Sequence, residues 1–593
     1  MSDFTTRPEI RGTFGVVTST HWIASAVGMS ILEAGGNAFD AAVACGLTLQ
    51  VVEPHLNGPA GDMPAVFHSV KTGVTQVLCA QGVAPAAATT EHYRAQGLTL
   101  VPGSGLLATV VPGAFDGWML MLRDHGTMGL RDVMQPAISY ACDGHPVLPR
   151  AAETIAGLAA FFKAEWPSSA AVWTPGGKAP EPHSLFKNPD LAATYDRLAA
   201  CEGDTREARI DEARRQWRAG FVADAIFAYL EDAHVMDVSD APHSGVLAPQ
   251  DMAGWRAAYE DTLSHAYHGW TVHKTHAWGQ GPVMLQALAI LSGFDLAGMD
   301  PNGAEFVHVV IEAMKLAYAD REAYYGDPAQ SPIPMEVLLS EGYNAERRSL
   351  IGSKASMAQR PGRVPGFEHL ADAYIARSQR DFDVGRVAAQ EPTMSHLTER
   401  RGDTVHLDII DRWGNMVAAT PSGGWLQSNP VIPGLGFPLN SRAQMFWLED
   451  GLPTSLAPGR RPRTTLSPSL VEKDGVRLVF GTPGGDQQDQ WQLIWFLRFV
   501  HFGLGLQEGM DAPLFHSMHF QSSFYPRETR PGELMIEPNV GADVIADLRA
   551  RGHKVTIAEP WTVGRLTAAL RETDGTLRAA ATPRLMQAYA VGR

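Results

Sequence analysis

The sequence is short of several things, and each shortage excludes a class of protein. Only 4 of its 593 residues are cysteine. Cys45, Cys79, Cys142 and Cys201 stand at no repeating spacing, so neither a disulfide framework nor a thiolate metal site is expected, and buried free thiols are the simpler reading. Positive charge is scarce: 48 Lys and Arg face 64 Asp and Glu, for a formal net charge of -16. Nucleic acid and anionic membrane are thereby poor partners, since both need a basic face. An anionic substrate would have to be met by locally placed Arg or Lys. No apolar run is long enough for a membrane span. The opening residues Met1-Ser2-Asp3-Phe4-Thr5 lack the basic and apolar regions of a secretory signal, so a cytoplasmic location is expected. The 21 histidines show no paired metal-ligand spacing, and no metal or cofactor is expected. Internal repeats and low-complexity tracts are absent too.

What is present is a globular composition, 45% hydrophobic and 19% charged, in a chain too long for one ordinary core. Trp22–Val52 has helical periodicity, with Ala24, Val27, Ile31 and Leu32 on one face. Gly35-Gly36-Asn37 should interrupt it, and Asp40 is a candidate N-cap for Ala41–Leu49. Pro54–Pro64, rich in Gly and Pro, reads as a loop. Asp204–Arg218 reads as a charged, solvated helix. Val307–Tyr325 reads as a strong helix stopped by Gly326-Asp327-Pro328. Ser353–Arg401 has many polar residues and no period, and reads as a loosely held segment ending at Arg400-Arg401-Gly402-Asp403.

The character then changes abruptly. Thr404–Ile410 alternates like a strand, Trp413-Gly414-Asn415 makes a turn, and Met416–Thr420 is a second strand. Leu478–Phe480 is a third, leading into the glycine loop Gly481–Gly485. A loose linker running straight into a central-type strand is what a cleavage site beside a buried nucleophile would look like. A threonine hydroxyl is a poor nucleophile until a base activates it. An N-terminal threonine carries such a base in its own α-amine, whose ordinary pKa is near 8. Thr404 acquires that amine only if the Asp403–Thr404 bond breaks, and its own hydroxyl can start that break by attacking the preceding carbonyl. Taken alone, a Thr after Gly-Asp is most often a turn cap or strand residue. Likewise Gly484-Gly485 is either an ordinary turn or an anion-binding nest fit to be an oxyanion hole.

The chain resembles the γ-glutamyltransferase (glutathione hydrolase) family of N-terminal-nucleophile hydrolases, as a divergent member. The resemblance rests on Gly35-Gly36-Asn37-Ala38-Phe39-Asp40-Ala41-Ala42-Val43-Ala44, Val111-Pro112-Gly113 and Gln135-Pro136-Ala137-Ile138. It continues through Glu312–Arg321, Gly326-Asp327-Pro328, Thr404 with its strand and Asp411-Arg412-Trp413-Gly414-Asn415. It ends on Arg461-Pro462, Leu466-Ser467-Pro468 and Gly481-Thr482-Pro483-Gly484-Gly485. The resemblance implies an α/β fold, a four-layer αββα sandwich, cut into a large subunit (1–403) and a small one (404–593). It implies Thr404 as nucleophile, Gly484 and Gly485 as oxyanion-hole donors, and Ser422 as the hydroxyl that orients the nucleophile. It places Thr464 and Thr465 at a pair of carboxylate-binding serines. The partners it implies are a small-molecule amide and the precursor's own two subunits, with a homodimer of heterodimers also open.

The departures fall where the family grips a γ-glutamyl group. The Arg that holds the α-carboxylate is Gln81 here, the Asp that holds the α-ammonium is Met445, and an Asn near the nucleophile is Gly424. Arg442 stands at a neutral partner of the carboxylate, and is either a carboxylate clamp or part of a structural ion pair. Because an unpartnered charge in a dry site costs a few kcal/mol, weak activity on glutathione is expected. Relatives of the family include oxamate amidohydrolases and cephalosporin-type acylases, so a carboxylate-bearing amide of another kind is the leading substrate class. A true γ-glutamyltransferase, a hydrolase of an activated carbon–carbon bond using the same threonine, and a non-catalytic scaffold are the alternatives. Trp425 and Trp447 are either core aromatics or walls of the substrate site. His55 is expected in a hydrogen-bonding role on its loop and not as the general base.

Overall fold

The computed structural model describes residues 4–380 and 404–593. The expected cleavage residue Asp403 and residues 381–401 of the polar stretch before it lie outside the described residues.

The described chain is an α/β fold built on two seven-stranded antiparallel sheets. One runs Ile10–Gly12, Leu577–Ala581, Thr567–Arg571, Val476–Gly481, Ser469–Lys473, Trp270–Lys274 and Leu263–Tyr267 in spatial order. The other runs Tyr589–Gly592, Gly15–Ser19, Leu407–Asp411, Met416–Ala419, Met63–Ser69, Val74–Ala80 and Ala258–Asp261. Both interleave early and late parts of the sequence. Leu407 pairs with Ser19 on one side and Ala419 on the other.

Successive strand residues point to opposite faces, and the cores follow that alternation. Val17, Ile409 and Val417 pack with the helices Trp22–Glu33 and Ala38–Val52. Their neighbours Val16, Ile410 and Met416 pack instead with Leu470, Val479 and Ala569 of the other sheet. Leu478, Phe480 and Leu570 join the helices Pro282–Leu291, Ala304–Tyr324 and Gln488–Phe502.

Several expectations shift. The N-cap of the second helix is Asn37, not Asp40; the helix starts at Ala38 and Asp40 closes a capping box from its third position. Asp40 does more than cap, since its carboxylate also accepts the Thr127 and Met128 N–H groups. The charged helix is Arg206–Ala219 with Thr205 as N-cap. It is not wholly solvated, because Arg214 is buried against Asp116 at 2.7 Å and Trp217 is buried. The long helix is Ala304–Tyr324. Of the cysteines, Cys45 and Cys79 are buried free thiols but Cys142 is exposed and Cys201 half-buried. The stretch from Ser353 is not uniformly loose: it contains the helix Glu368–Ser378, which buries Leu370, Ala371, Tyr374 and Arg377. That amphipathic run is short and interrupted by Arg and Asp, which hid its period.

Candidate active site

Thr404 lies just before the strand Leu407–Asp411, in an isolated bridge to Ser422, and is fully buried. The expected strand thus starts three residues later than its sequence pattern suggests. Thr404 Oγ1 donates to Ser422 Oγ at 3.2 Å. Ser422 is itself locked to Asp62 by reciprocal backbone hydrogen bonds, both 2.9 Å. The loop ahead of Met63 therefore packs directly on the Ser422–Trp425 segment. Leu426 N–H donates to Pro54 O, Trp425 Nε1 to Leu56 O, and Gln427 Nε2 to His55 O. His55 thus serves this seam through its carbonyl.

The closeness of that seam explains Gly424. Its φ is +64°, and a Cβ there would sit 3.0 Å from Gly61 N. A Cβ on Gly61 would lie 2.1 Å from Ser422 O. Backbone lies against backbone here, a closeness that only glycine permits.

Thr404, His406 and Asp408 alternate onto the face that meets the other sheet. His406 Nδ1 contacts Thr420 Oγ1 at 2.8 Å and its Nε2 contacts Asp408 Oδ1 at 2.9 Å, all buried. Asp408 in turn accepts from Thr18 at 3.0 Å and from Thr567 at 2.6 Å. This relay ties the strand Leu407–Asp411, just after Thr404, to both sheets. The pattern Thr-x-His-x-Asp carried the signal in the sequence, but an alternating polar triplet there reads as a solvated strand face.

The glycine turn comes next to the same face. A Cβ on Gly481 would lie 2.2 Å from the His406 ring, so the end of the strand Val476–Gly481 abuts the segment that follows Thr404. Gly484 and Gly485 both have positive φ, +134° and +53°, and no acceptor among the described residues takes either N–H. That is a nest open to an anion. Gly485 O is pinned by Gln280 Nε2 at 3.1 Å, and a Cβ on Gly484 would strike Trp491 at 2.2 Å.

The other expected site residues divide. Arg442 is fully buried in a 2.9 Å ion pair with Asp62, the residue whose backbone bonds Ser422, and lies 5.1 Å over the Trp425 ring. Its structural pairing is therefore the one observed. Met445 packs with Trp425 and Phe524, an apolar patch in place of an acid. Gln81 is buried and turns its amide to Gly82 O at 3.2 Å. Thr464 is held by its N–H to Trp278 O at 2.8 Å, while the buried Thr465 hydroxyl finds no partner among the described residues. Trp447 is sandwiched by Arg377 and Arg527, 4.6 and 4.5 Å from its ring.

His308, Glu312 and His553 form one group whose ligand atoms lie within 4.8 Å of one another. It suits a metal poorly, since Glu312 already receives Lys315 at 2.7 Å and Arg360 at 2.8 Å. Among the described residues no helix is long and apolar enough to cross a membrane.

Comparison with known proteins gives the family. The gamma-glutamyltranspeptidase profile matches residues 24–592. The glutathione hydrolase-like YwrD proenzyme of Bacillus subtilis (strain 168) is 28% identical, covering 97% of both chains. A solved structure described as LmbA2991HD is 51% identical with a TM-score of 0.91, covering 100% of both chains. The cephalosporin acylase from Bacillus halodurans is 27% identical with a TM-score of 0.82, covering 100% of this chain and 98% of its own. A match over nearly the whole chain, with relatives that are hydrolase and acylase proenzymes, gives the assignment: the chain belongs to the gamma-glutamyltranspeptidase family of N-terminal-nucleophile hydrolases.

Proposed function

We propose that the protein is a self-cleaving amide hydrolase whose nucleophile is Thr404. The observation that carries this is the buried Thr404–Ser422 hydroxyl contact at 3.2 Å, on a strand abutted by a glycine turn with two unused N–H groups. Cleavage of Asp403–Thr404 gives subunits 1–403 and 404–593 and frees the threonine amine. In turnover that amine takes the Thr404 hydroxyl proton as Oγ attacks the amide carbonyl, and the Gly484 and Gly485 N–H groups receive the oxyanion. Collapse breaks the C–N bond, the amine product leaves with the proton, and water then hydrolyses the threonyl ester. Ser422 aligns the hydroxyl. The two outer helix groups and the two facing sheets fit a four-layer αββα sandwich, which presents the nucleophile at the seam between sheets.

The substrate of this reading is an amide other than a γ-glutamyl compound. Met445 against Trp425 and Phe524 offers an α-ammonium nothing, and Gln81 brings no charge. An acyl group without an ammonium suits such a pocket. The test is intact mass under denaturing conditions, followed by a screen of the cleaved protein against glutathione, glutaryl amides and oxamate. A chain that stays uncut and inactive on long incubation sinks the reading, and glutathione as best substrate sinks its specificity half.

A further inference from the structure

The mechanism leaves one buried feature unused. Around Glu322, on the long helix, lie four guanidinium groups: Arg321, Arg377, Arg463 and Arg527, all buried. Among the described residues, two carboxylates pair with them. Glu322 pairs with Arg321 at 2.7 Å and Arg463 at 2.6 Å, and Asp486 pairs with Arg321 at 2.6 Å. Glu449, within reach of Arg377's field, is taken by Arg380 at 2.7 Å. Arg527 has carbonyl acceptors and the Trp447 face but no carboxylate partner among the described residues: its Nη2 donates to Gln444 O at 2.7 Å and Phe446 O at 3.2 Å. Nε of Arg463 and Nε and Nη1 of Arg377 find no hydrogen-bond acceptor among the described residues.

In a protein of net charge -16, a buried surplus of positive charge is costly. Burial works against the Glu322 carboxylate, yet the surrounding arginines hold it down at about 2. Burial likewise pulls the Arg527 guanidinium down to about 9. Buried donors without acceptors, and buried cations without anions, are normally eliminated unless something completes them.

The place of the cluster says what completes it. Asp486 follows the nest residue Gly485 and is clamped by Ser523 N–H at 2.8 Å and its hydroxyl at 2.6 Å. Arg463 precedes Thr464 and the partnerless Thr465 hydroxyl, and its Nη2 donates to that same Ser523 at 2.8 Å. Arg527 grips the two carbonyls that flank Met445. The surplus thus borders the nest, the threonine pair and the apolar patch at once.

We propose that Arg463 and Arg527, not Arg442, form the anion-reading wall of the substrate site, and that the substrate is a dianion carrying two carboxylates or one carboxylate and an adjacent enolate. The inference rests on the functional reading for the site's location, but its binding half does not need Thr404 chemistry. Asp62 matches Arg442 one to one, whereas Arg463 shares Glu322 with Arg321. Arg463 and Thr465 supply the unmet donors, and Arg527 with Arg377 supplies unmatched charge.

The experiment measures binding of oxalate, malonate and acetate to the wild-type protein by calorimetry, beside Arg463→Gln, Arg463→Lys and Thr465→Val. Wild type is expected to bind the dianions and not acetate. Losing a charge-assisted hydrogen bond weakens dianion binding roughly 10- to 100-fold in Arg463→Gln, with a smaller loss in Arg463→Lys. Thr465→Val is a mild change that tests the wall even if Arg463→Gln fails to fold. Absence of dianion binding by wild type at millimolar concentration overturns the proposal. So does equal binding of acetate, or dianion affinity unchanged in every folded variant. Self-cleavage scored by mass in the same samples separates the two readings: an uncut wild type that still binds dianions removes the nucleophile and spares the wall.

Discussion

Arg442 Nη2 donates to Asp62 Oδ1 at 2.9 Å, and both side chains are at most 2% exposed. Asp62 is also the residue whose backbone brackets Ser422. The ion pair therefore fixes the loop that backs Ser422, the hydroxyl partner of Thr404, and its charge is spent before any substrate arrives.

Removing one side of that pair should be severe. Asp62→Asn leaves a buried guanidinium uncompensated, at a cost of about 3–5 kcal/mol. Denaturant unfolding is expected to show that loss. The double variant Asp62→Asn/Arg442→Met should lose less than Asp62→Asn alone, because it buries no orphan charge.

Thr404→Ala should remain one uncut chain while wild type resolves into two, and turnover should fall by roughly 10³-fold or more, as expected when an acyl-accepting nucleophile is removed. Gel analysis and intact mass read the first effect, initial rates the second. A variant that still cleaves at 403–404 would assign the nucleophile elsewhere.

Gly484→Ala should abolish the oxyanion site without removing any catalytic side chain. The added Cβ meets Trp491 at 2.2 Å and the backbone there has φ +134°. Loss of one oxyanion donor costs roughly 10²–10³ in kcat. The expected result is a kcat drop of that size in a folded protein, checked by circular dichroism. Unchanged kcat would mean that the nest does not receive the oxyanion.

Asp408→Asn should misplace the strand that follows Thr404, through His406. A shift of about 1 Å in a reacting group can cost roughly 10²-fold. Steady-state kinetics are expected to show a lower kcat with KM little changed, since neither residue borders the proposed anion wall.

Glu53 gives a pH signature. Burial pushes its carboxyl up to about 7, against opposing pulls from the Thr20 hydroxyl, Arg565, Arg150 and Gln587. A carboxyl with a raised folded-state pKa favours folding while protonated, and that advantage is lost as pH climbs from about 4.5 to about 7. Glu53→Gln removes the dependence. Its melting temperature relative to wild type should therefore rise between pH 5 and pH 8 and level off above. A flat difference would show that Glu53 stays charged throughout.

Much of this molecule was decided locally, and so was legible in the sequence. Period-2 and period-3.6 patterns follow from backbone geometry, which is why the strands around Ile409, Val417 and Val479 and the helix carrying Met314 were readable. Gly484 and Gly485 announce a nest because only glycine takes those angles freely. The family motifs placed Thr404 beside Ser422, since eighteen residues forming two strands and a turn leave few ways to fold. What the sequence could not decide were matters of long range. Whether Arg442 faced a substrate or an acid depended on Asp62, 380 residues away. The His406–Asp408 relay needed Thr18 and Thr567 from neighbouring strands of two sheets. The arginine surplus around Glu322 exists only because segments near 321, 377, 463 and 527 converge. Charge is scattered along a chain and acquires meaning through proximity and burial, and both are set by tertiary structure alone.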